Sequence, residues 1–247
     1  STERAIDLVE ARTGKTRLRI PLSPKQGKSR HFRAVDFSPD GKQLLVGCLQ
    51  GGSLSIYDTA TGAPVVEWDS PRTDFARFNR TGTLILDINL SRELTVREPA
   101  SGRILWNRKP FGRALFTSGD HVIASDGNTL RRLDARTGAV LPPLPPLRGR
   151  LFTMALSPDD STLFYAGSAD VFVRGMRLAD GVVTFEQALT ESPASWPTVA
   201  LSADGAKVFG AVTDDGRKTV IRVWDTATGS RLRTLRGHDG DLESVAI

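Results

Sequence analysis

An all-β fold assembled from repeated four-stranded blades is the class this 247-residue sequence predicts. Three observations carry it: a turn motif that returns six times, a second turn motif that returns in step with it, and short β-prone runs between the two. The first motif is VWDTATG at 223–229, and it recurs as LVEARTG (8–14), IYDTATG (56–62), VREPASG (96–102), RLDARTG (132–138) and GMRLADG (175–181). Its terminal glycines lie 48, 40, 36, 43 and 48 residues apart. The second motif is VDFSPDG (35–41), ARFNRTG (76–82), ALFTSGD (114–120), MALSPDD (154–160) and VALSADG (199–205). Between them run LLVGCL, TLILDI, HVIAS, TLFYAG and KVFGAV, compositions that suit a pleated, buried surface. No stretch sustains a helical period.

Each cycle holds about four strands, and a period of about 40–45 residues with four strands reads as a β-propeller blade. One four-stranded sheet has two apolar faces and covers neither alone; stacking blades buries both. Ser-Pro-Asp-Gly suits the turn after the innermost strand, because Pro presets φ and Asp-Gly tolerates positive φ. The Asp-x-x-x-Gly segments suit the turn after the third strand, where the acid accepts backbone N–H groups and the glycine turns left-handed. That acid is Glu10, Asp58, Glu98, Asp134 or Asp225, with Arg177 the exception. Blades are expected at about 29–70, 71–110, 111–149, 150–193 and 194–236, with partial blades at 1–22 and 237–247. Residues 1–22 would supply third and fourth strands and 237–247 a first strand. Unpaired sheet edges are a liability, so the chain is expected to be a segment of a longer protein.

FSPDG, VWDTATG and Gly237-His238 resemble the WD40 repeat, and the resemblance spans nearly the whole chain. Trp224-Asp225 is the one literal Trp-Asp; Tyr57-Asp58 is close, Leu133-Asp134 and Val9-Glu10 are looser, and Arg97-Glu98 keeps the acid alone. The resemblance makes Asp58, Asp134, Trp224, Asp225 and His238 structural repeat residues. It implies that His238 bonds between the middle strands, a network available here at most once. A second propeller type, the quinone-cofactor dehydrogenases, also carries Asp-x-x-x-Gly turns followed by a Trp. SGRILW (101–106) and TGAPVVEW (61–68) resemble that pattern, with Trp106 at the expected spacing.

Chemistry is sparse. Cys48 is the single cysteine, which rules out an internal disulfide and a thiolate cluster and fits a reducing compartment. A cytoplasmic location is therefore expected, and no apolar run approaches the roughly 18 residues of a membrane span. His31, His121 and His238 have no partner at metal-ligand spacing, and Asp159-Asp160 and Asp214-Asp215 fall at turns. There is no Gly-x-Ser-x-Gly, phosphate loop or dinucleotide fingerprint. The expectation is no enzyme, no metal and no cofactor. PPLPPLR (142–148) reads as a stiff connector leading to a blade's outer edge.

A scaffold needs a binding face. The loops between blades and between middle strands collect His31, Arg33, Arg72, Arg113, Arg150 and Trp196. An arginine-rich rim with one tryptophan matches the composition of a hot spot for an acidic protein partner. The net charge of +5 is spread without the clustering that nucleic acid requires. No membrane or small-molecule substrate is expected. The function expected is a rigid protein-interaction platform within a larger regulatory or signalling protein. The resemblance implies bacterial parents of the kinase, signalling-ATPase or transcription-regulator type. The arginine-over-lysine bias is compatible with a GC-rich bacterium.

Overall fold

Runs of β-branched and aromatic residues broken every few positions by Gly, Asp and Pro leave no room for helix. A computed structural model describes residues 5–22, 32–48, 52–70, 72–149, 151–167, 172–189, 197–213 and 218–239. Among these there are twenty-one β-strands and no helix. The chain divides into two compact units: Ser1–Phe111 with Ala135–Gly138, and Gly112–Asp134 with Ala139–Ile247.

In the first unit, β1 (Ala5–Val9) and β2 (Thr16–Pro21) form a two-stranded hairpin. β3 (Phe32–Phe37), β4 (Gln43–Cys48), β5 (Ser53–Asp58) and β6 (Pro64–Asp69) make one antiparallel blade in chain order. β7 (Thr73–Phe78), β8 (Ile85–Asn89), β9 (Leu94–Arg97) and β10 (Ile104–Arg108) make the next. Middle strands are buried on both faces, which is why LLV in β4 and IL in β8 are apolar without alternation. One face of the first blade presents Ala34, Leu45, Leu54 and Ile56 to Ala76, Phe78 and Ile85 of the second. Its other face presents Leu44, Val46 and Tyr57 to Ile20, with Ile6, Leu8 and Leu18 packed alongside.

In the second unit, β14 (Thr153–Leu156), β15 (Thr162–Ala166), β16 (Phe172–Arg177) and β17 (Val183–Ala188) form a four-stranded blade. So do β18 (Thr198–Leu201), β19 (Lys207–Thr213), β20 (Lys218–Asp225) and β21 (Arg231–Asp239). The blade of β11 (Arg113–Phe116), β12 (His121–Asp126) and β13 (Thr129–Asp134) has three strands. Its expected fourth strand is a single bridge, Leu133 to Val140. The prolines that follow lack the N–H groups a ladder needs. Leu147 N donates to Asn128 O at 3.0 Å instead. Leu144 and Leu147 drop into the core with Leu115, Ile123 and Leu130, so this connector helps to build the blade as well as leaving it. β21 carries Gly237, His238 and Asp239 as a continuation of the fourth strand, pairing Lys218 with Asp239 and Thr219 with His238. The repeat places the start of a new partial blade at 237, where the strand instead continues to Asp239; the His238 side chain and residues 240–247 lie outside the described residues.

The turns follow the expected chemistry. Asp58 Oδ1 accepts Ala60 N, Thr61 N and Thr61 Oγ1 at 3.0, 2.8 and 2.8 Å. Asp225 Oδ1 accepts Ala227 N, Thr228 N and Thr228 Oγ1 at 3.1, 2.8 and 2.9 Å. Asp134 N donates to Ala139 O at 2.9 Å in the matching turn. Where Arg177 replaces the acid, it pairs with Asp180 at 2.7 Å. Trp224 is buried edge-on to Phe185, with ring centroids 6.4 Å apart. The turn glycines also serve as seats: Trp106 lies against Gly138 and donates Nε1 to Ala135 O at 2.9 Å. Trp68 lies against Gly102, where a Cβ would fall 1.8 Å from Nε1. The spacing rule selected Trp106 alone; both rings take this seat.

Candidate interaction surface

In an antiparallel four-stranded blade, the first and third turns share one end, and the middle turn shares the other end with the inter-blade connections. The first unit concentrates exposed arginine at the second end. Arg72 precedes β7 and Arg92 lies in the β8–β9 turn, both exposed. Their backbones are tied into one ledge: Leu90 N donates to Arg72 O at 3.1 Å, and Phe111 N donates to Arg92 O at 2.8 Å. Asn89 Oδ1 shapes the turn by accepting Ser91 N at 2.9 Å and Glu93 N at 3.1 Å. Lys109 Nζ lies 3.6 Å from Glu93 Oε2 beside it, and Leu90 is 44% exposed.

Both arginines are left-handed, with φ of 56° at Arg72 and 60° at Arg92. The same turn between middle strands is left-handed at Gly52 and Gly127, each with φ of 64°. An L-residue in this region costs about 1–2 kcal/mol. Non-glycine residues are also left-handed at Asp120 and Asp160, in turns that use Gly41, Gly82 and Gly205 elsewhere. Asp160 has a local reason, since its carboxylate accepts Ser118 N at 2.7 Å and Ser118 Oγ at 2.5 Å.

Of the remaining residues singled out by the sequence, Arg113 is committed to the second unit's own framework. Its Nε donates to Phe152 O at 2.8 Å, its Nη1 to Gly112 O at 3.1 Å, and its guanidinium lies 5.0 Å from the Phe152 ring centre. Arg33 lies on β3 with its side chain outside the described residues, as do His31, Arg150, Trp196 and Asp214-Asp215 in full. Counting along the repeat places the loop at 91–92 on the binding face but does not single out Arg92. Its signal was available, because LSRE (90–93) stands where the other blades carry LQGGS (49–53) and SDGNT (125–129).

A second feature unmarked by the motifs lies between the two blades of the first unit. Arg97 occupies the repeat's tryptophan position and is buried, with Nε 2.8 Å from Asp87 Oδ1. Its guanidinium sits 5.7 Å from the Trp68 ring centre. Ser70 hydrogen-bonds Asp87 and lies 3.0 Å from Thr73 Oγ1. Burial pushes the Asp87 carboxyl above its ordinary range, against the pull of Arg97. Asp36 is likewise raised by burial, although it accepts Phe78 N at 2.9 Å.

The second unit carries a cleft of about 410 Å³ at the end opposite its middle-strand turns, lined by Ser157, Asp159, Ser161, Thr184, Asp204 and Thr226. Hydrogen bonds from Ser157 and Ser161 hold Asp159 down to about 2, and Ser202 and Ala206 N lower Asp204. Both carboxylates are turn-formers, held ionised near neutral pH by these hydrogen bonds. Among the described residues, no three His, Cys, Asp or Glu side chains gather as a metal site.

Four-stranded antiparallel blades in chain order, with these two turn motifs in register, give the chain the all-β propeller fold. Among solved structures, the chain is similar to the β-propeller domain of Cps50 (Swd1) from Myceliophteria thermophila, with a TM-score of 0.79 and 17% identity over 96% of this chain and 81% of that one. It is also similar to hydrazine synthase from Kuenenia stuttgartiensis, with a TM-score of 0.70 and 16% identity over 85% of this chain and 66% of that one. At these identities the likeness is one of fold. No family model and no curated protein matches the sequence.

Proposed function

We propose that this chain is a non-catalytic protein-interaction scaffold whose Arg72–Arg92 ledge receives an acidic segment of a partner protein. The observation that carries the reading is the retention of two exposed arginines in left-handed backbone, one of them where sister blades use glycine. Residues held in costly backbone conformations concentrate at binding sites. Guanidinium groups on a rigid ledge lose little conformational freedom when a carboxylate docks, and they offer it a bidentate fork. In this reading the propeller acts by presentation, as part of a larger cytoplasmic regulatory or signalling protein. The test is fluorescence anisotropy with a labelled glutamate-rich peptide. Binding should weaken with salt and fall about tenfold or more in Arg72→Glu/Arg92→Glu, with melting temperature unchanged. Equal binding by that variant removes the ledge from consideration.

One observation favours a second reading, a quinoprotein-type dehydrogenase propeller: Trp68 and Trp106 both seat on turn glycines in the manner of that type. A near-ultraviolet quinone band in protein from its source cells, together with dye reduction, would support it over the scaffold.

A further inference from the structure

Proline decides the conformation of residues 141–148 before packing does. Pro142, Pro143, Pro145 and Pro146 fix their own φ and hold the residue before each of them in extended backbone. All four of these X–Pro bonds are trans, and the backbone runs unbent from Pro143 to Leu147. A chain so restricted takes the polyproline II form, a three-sided rod with three residues per turn. Side-chain exposure follows that period. Leu144 and Leu147 are 9% and 5% exposed and pack with Leu115, Ile123 and Tyr165. Pro142, Pro143, Pro146 and Arg148 are exposed, and Pro145 is half-buried. One edge of the rod faces the core and two face outward.

The rod is fastened at both ends. Leu141 N donates to Arg132 O at 2.9 Å, Leu147 N to Asn128 O at 3.0 Å, and Arg148 N to the Tyr165 hydroxyl at 3.3 Å. Between these ties Pro145 sits against Gly181, where a Cβ would fall 2.6 Å from the proline's own. Refusing a fourth strand takes one or two prolines, and sealing the core takes the two leucines. Neither requirement accounts for proline on both outward edges with an arginine at their end.

We infer that the outward edges of residues 142–148 are a ligand for a partner domain that grips polyproline II in an aromatic-lined groove, with a carboxylate at the groove's end for Arg148. Pro142 and Pro143 fill the first site between aromatic rings. Pro145 and Pro146 fill the next, three residues and about 9 Å further along. Arg148 is the next member of the Pro142–Pro145 series and meets the carboxylate, which its planar fork suits. The edge that such a groove leaves untouched is the one the leucines bury. Because the rod is already ordered, docking loses little backbone entropy. These residues are distinct from the arginine ledge, so either site can fail while the other stands.

The probe is a recombinant SH3 domain, chosen from a panel by its binding to a free peptide of residues 141–149. Titration calorimetry with the 247-residue chain is expected to show one-to-one binding at least as tight as the free peptide's. The aromatic NMR signals of the SH3 groove should shift on binding. Arg148→Glu and, separately, Pro143→Ala/Pro146→Ala should each weaken binding by about tenfold or more, with circular dichroism unchanged. Arg148→Glu alters an exposed side chain alone, so it decides the matter if the double proline variant fails to fold. Arg231→Glu, at an exposed arginine of β21, should leave the affinity unchanged. A panel in which no domain takes the free peptide overturns the inference. So does a domain that takes the peptide and not the folded protein, which would mean the rod is out of reach. Equal loss in Arg231→Glu would reduce the attraction to net charge and likewise overturn it.

Discussion

The Arg97–Asp87 pair allows a test whose controls are written in the sequence. At the equivalent positions of the preceding blade stand Tyr57 and Val46, both buried and apolar in their packing. Arg97→Tyr therefore removes the cation and leaves a carboxylate that is 3% exposed without its partner. Breaking a buried pair from one side costs about 3–5 kcal/mol. For a chain of this size, each kcal/mol moves the melting temperature by about 2–4 °C, so a loss of about 10 °C is expected. Asp87→Val should cost a similar amount by stranding the guanidinium. The double variant restores the apolar pairing of the sister blade and should return to within about 1–2 kcal/mol of the parent, since apolar replacement of a buried pair is often neutral or better. Urea unfolding of all four proteins gives the coupling energy directly. The pH dependence adds a sign. A carboxyl raised by burial contributes stability that is present below its unfolded value and lost as pH rises through the folded one. The Arg97→Tyr loss should therefore shrink as pH falls and Asp87 takes up its proton. Single variants within about 1 kcal/mol of the parent, or a double variant as unstable as either single, would refute the claim that these two residues of neighbouring strands compensate each other.

Arg92→Gly separates binding from folding: relief of the left-handed strain, about 1–2 kcal/mol, is offset by glycine's unfolded-state entropy of about 0.4–1 kcal/mol. Thermal melting should show unchanged or slightly raised stability, while acidic-peptide binding falls. Gly138→Ala meets both a φ of 68° and the Trp106 ring, 2.8 Å from the new Cβ. Urea unfolding should show a loss of about 2 kcal/mol or more, with a change in tryptophan fluorescence as the seat is lost. Local hydrogen bonds hold the turn carboxylates Asp40, Asp58, Asp159, Asp204 and Asp225 below the ordinary 3.8. A lowered folded value contributes stability present above the unfolded one and lost as pH falls through the folded one. Stability should thus decline from just below pH 4 toward about 2, where Asp159 titrates, and an acid titration followed by circular dichroism that stays flat across that interval would contradict it.

The repeat, its strands and its turns were legible because each depends on residues within a few positions of one another. Asp58 bonds Thr61 and glycine follows at 62; no distant contact is needed to specify that bend. The arginine ledge was half legible. Arg72 came from counting along the repeat, whereas Arg92 became prominent only when its φ could be set beside those of Gly52 and Gly127. Arg113 shows the converse: its composition suited a binding rim, yet the fold brings Phe152 O and the Phe152 ring to it across 39 residues and engages its donors.

The sequence by itself determined the class of fold, the blade period and the polarity of every turn, since strand alternation and turn chemistry are local properties of the backbone. Tertiary structure alone decided which faces are covered. Whether Phe37 is buried like Phe78, whether the Trp68 ring lies over the Arg97 guanidinium, and whether proline-rich 142–146 becomes a strand or a wedge all depend on what the neighbouring blade places opposite. Burial and charge pairing are summed over atoms brought together from far along the chain, and no short window of residues contains that sum.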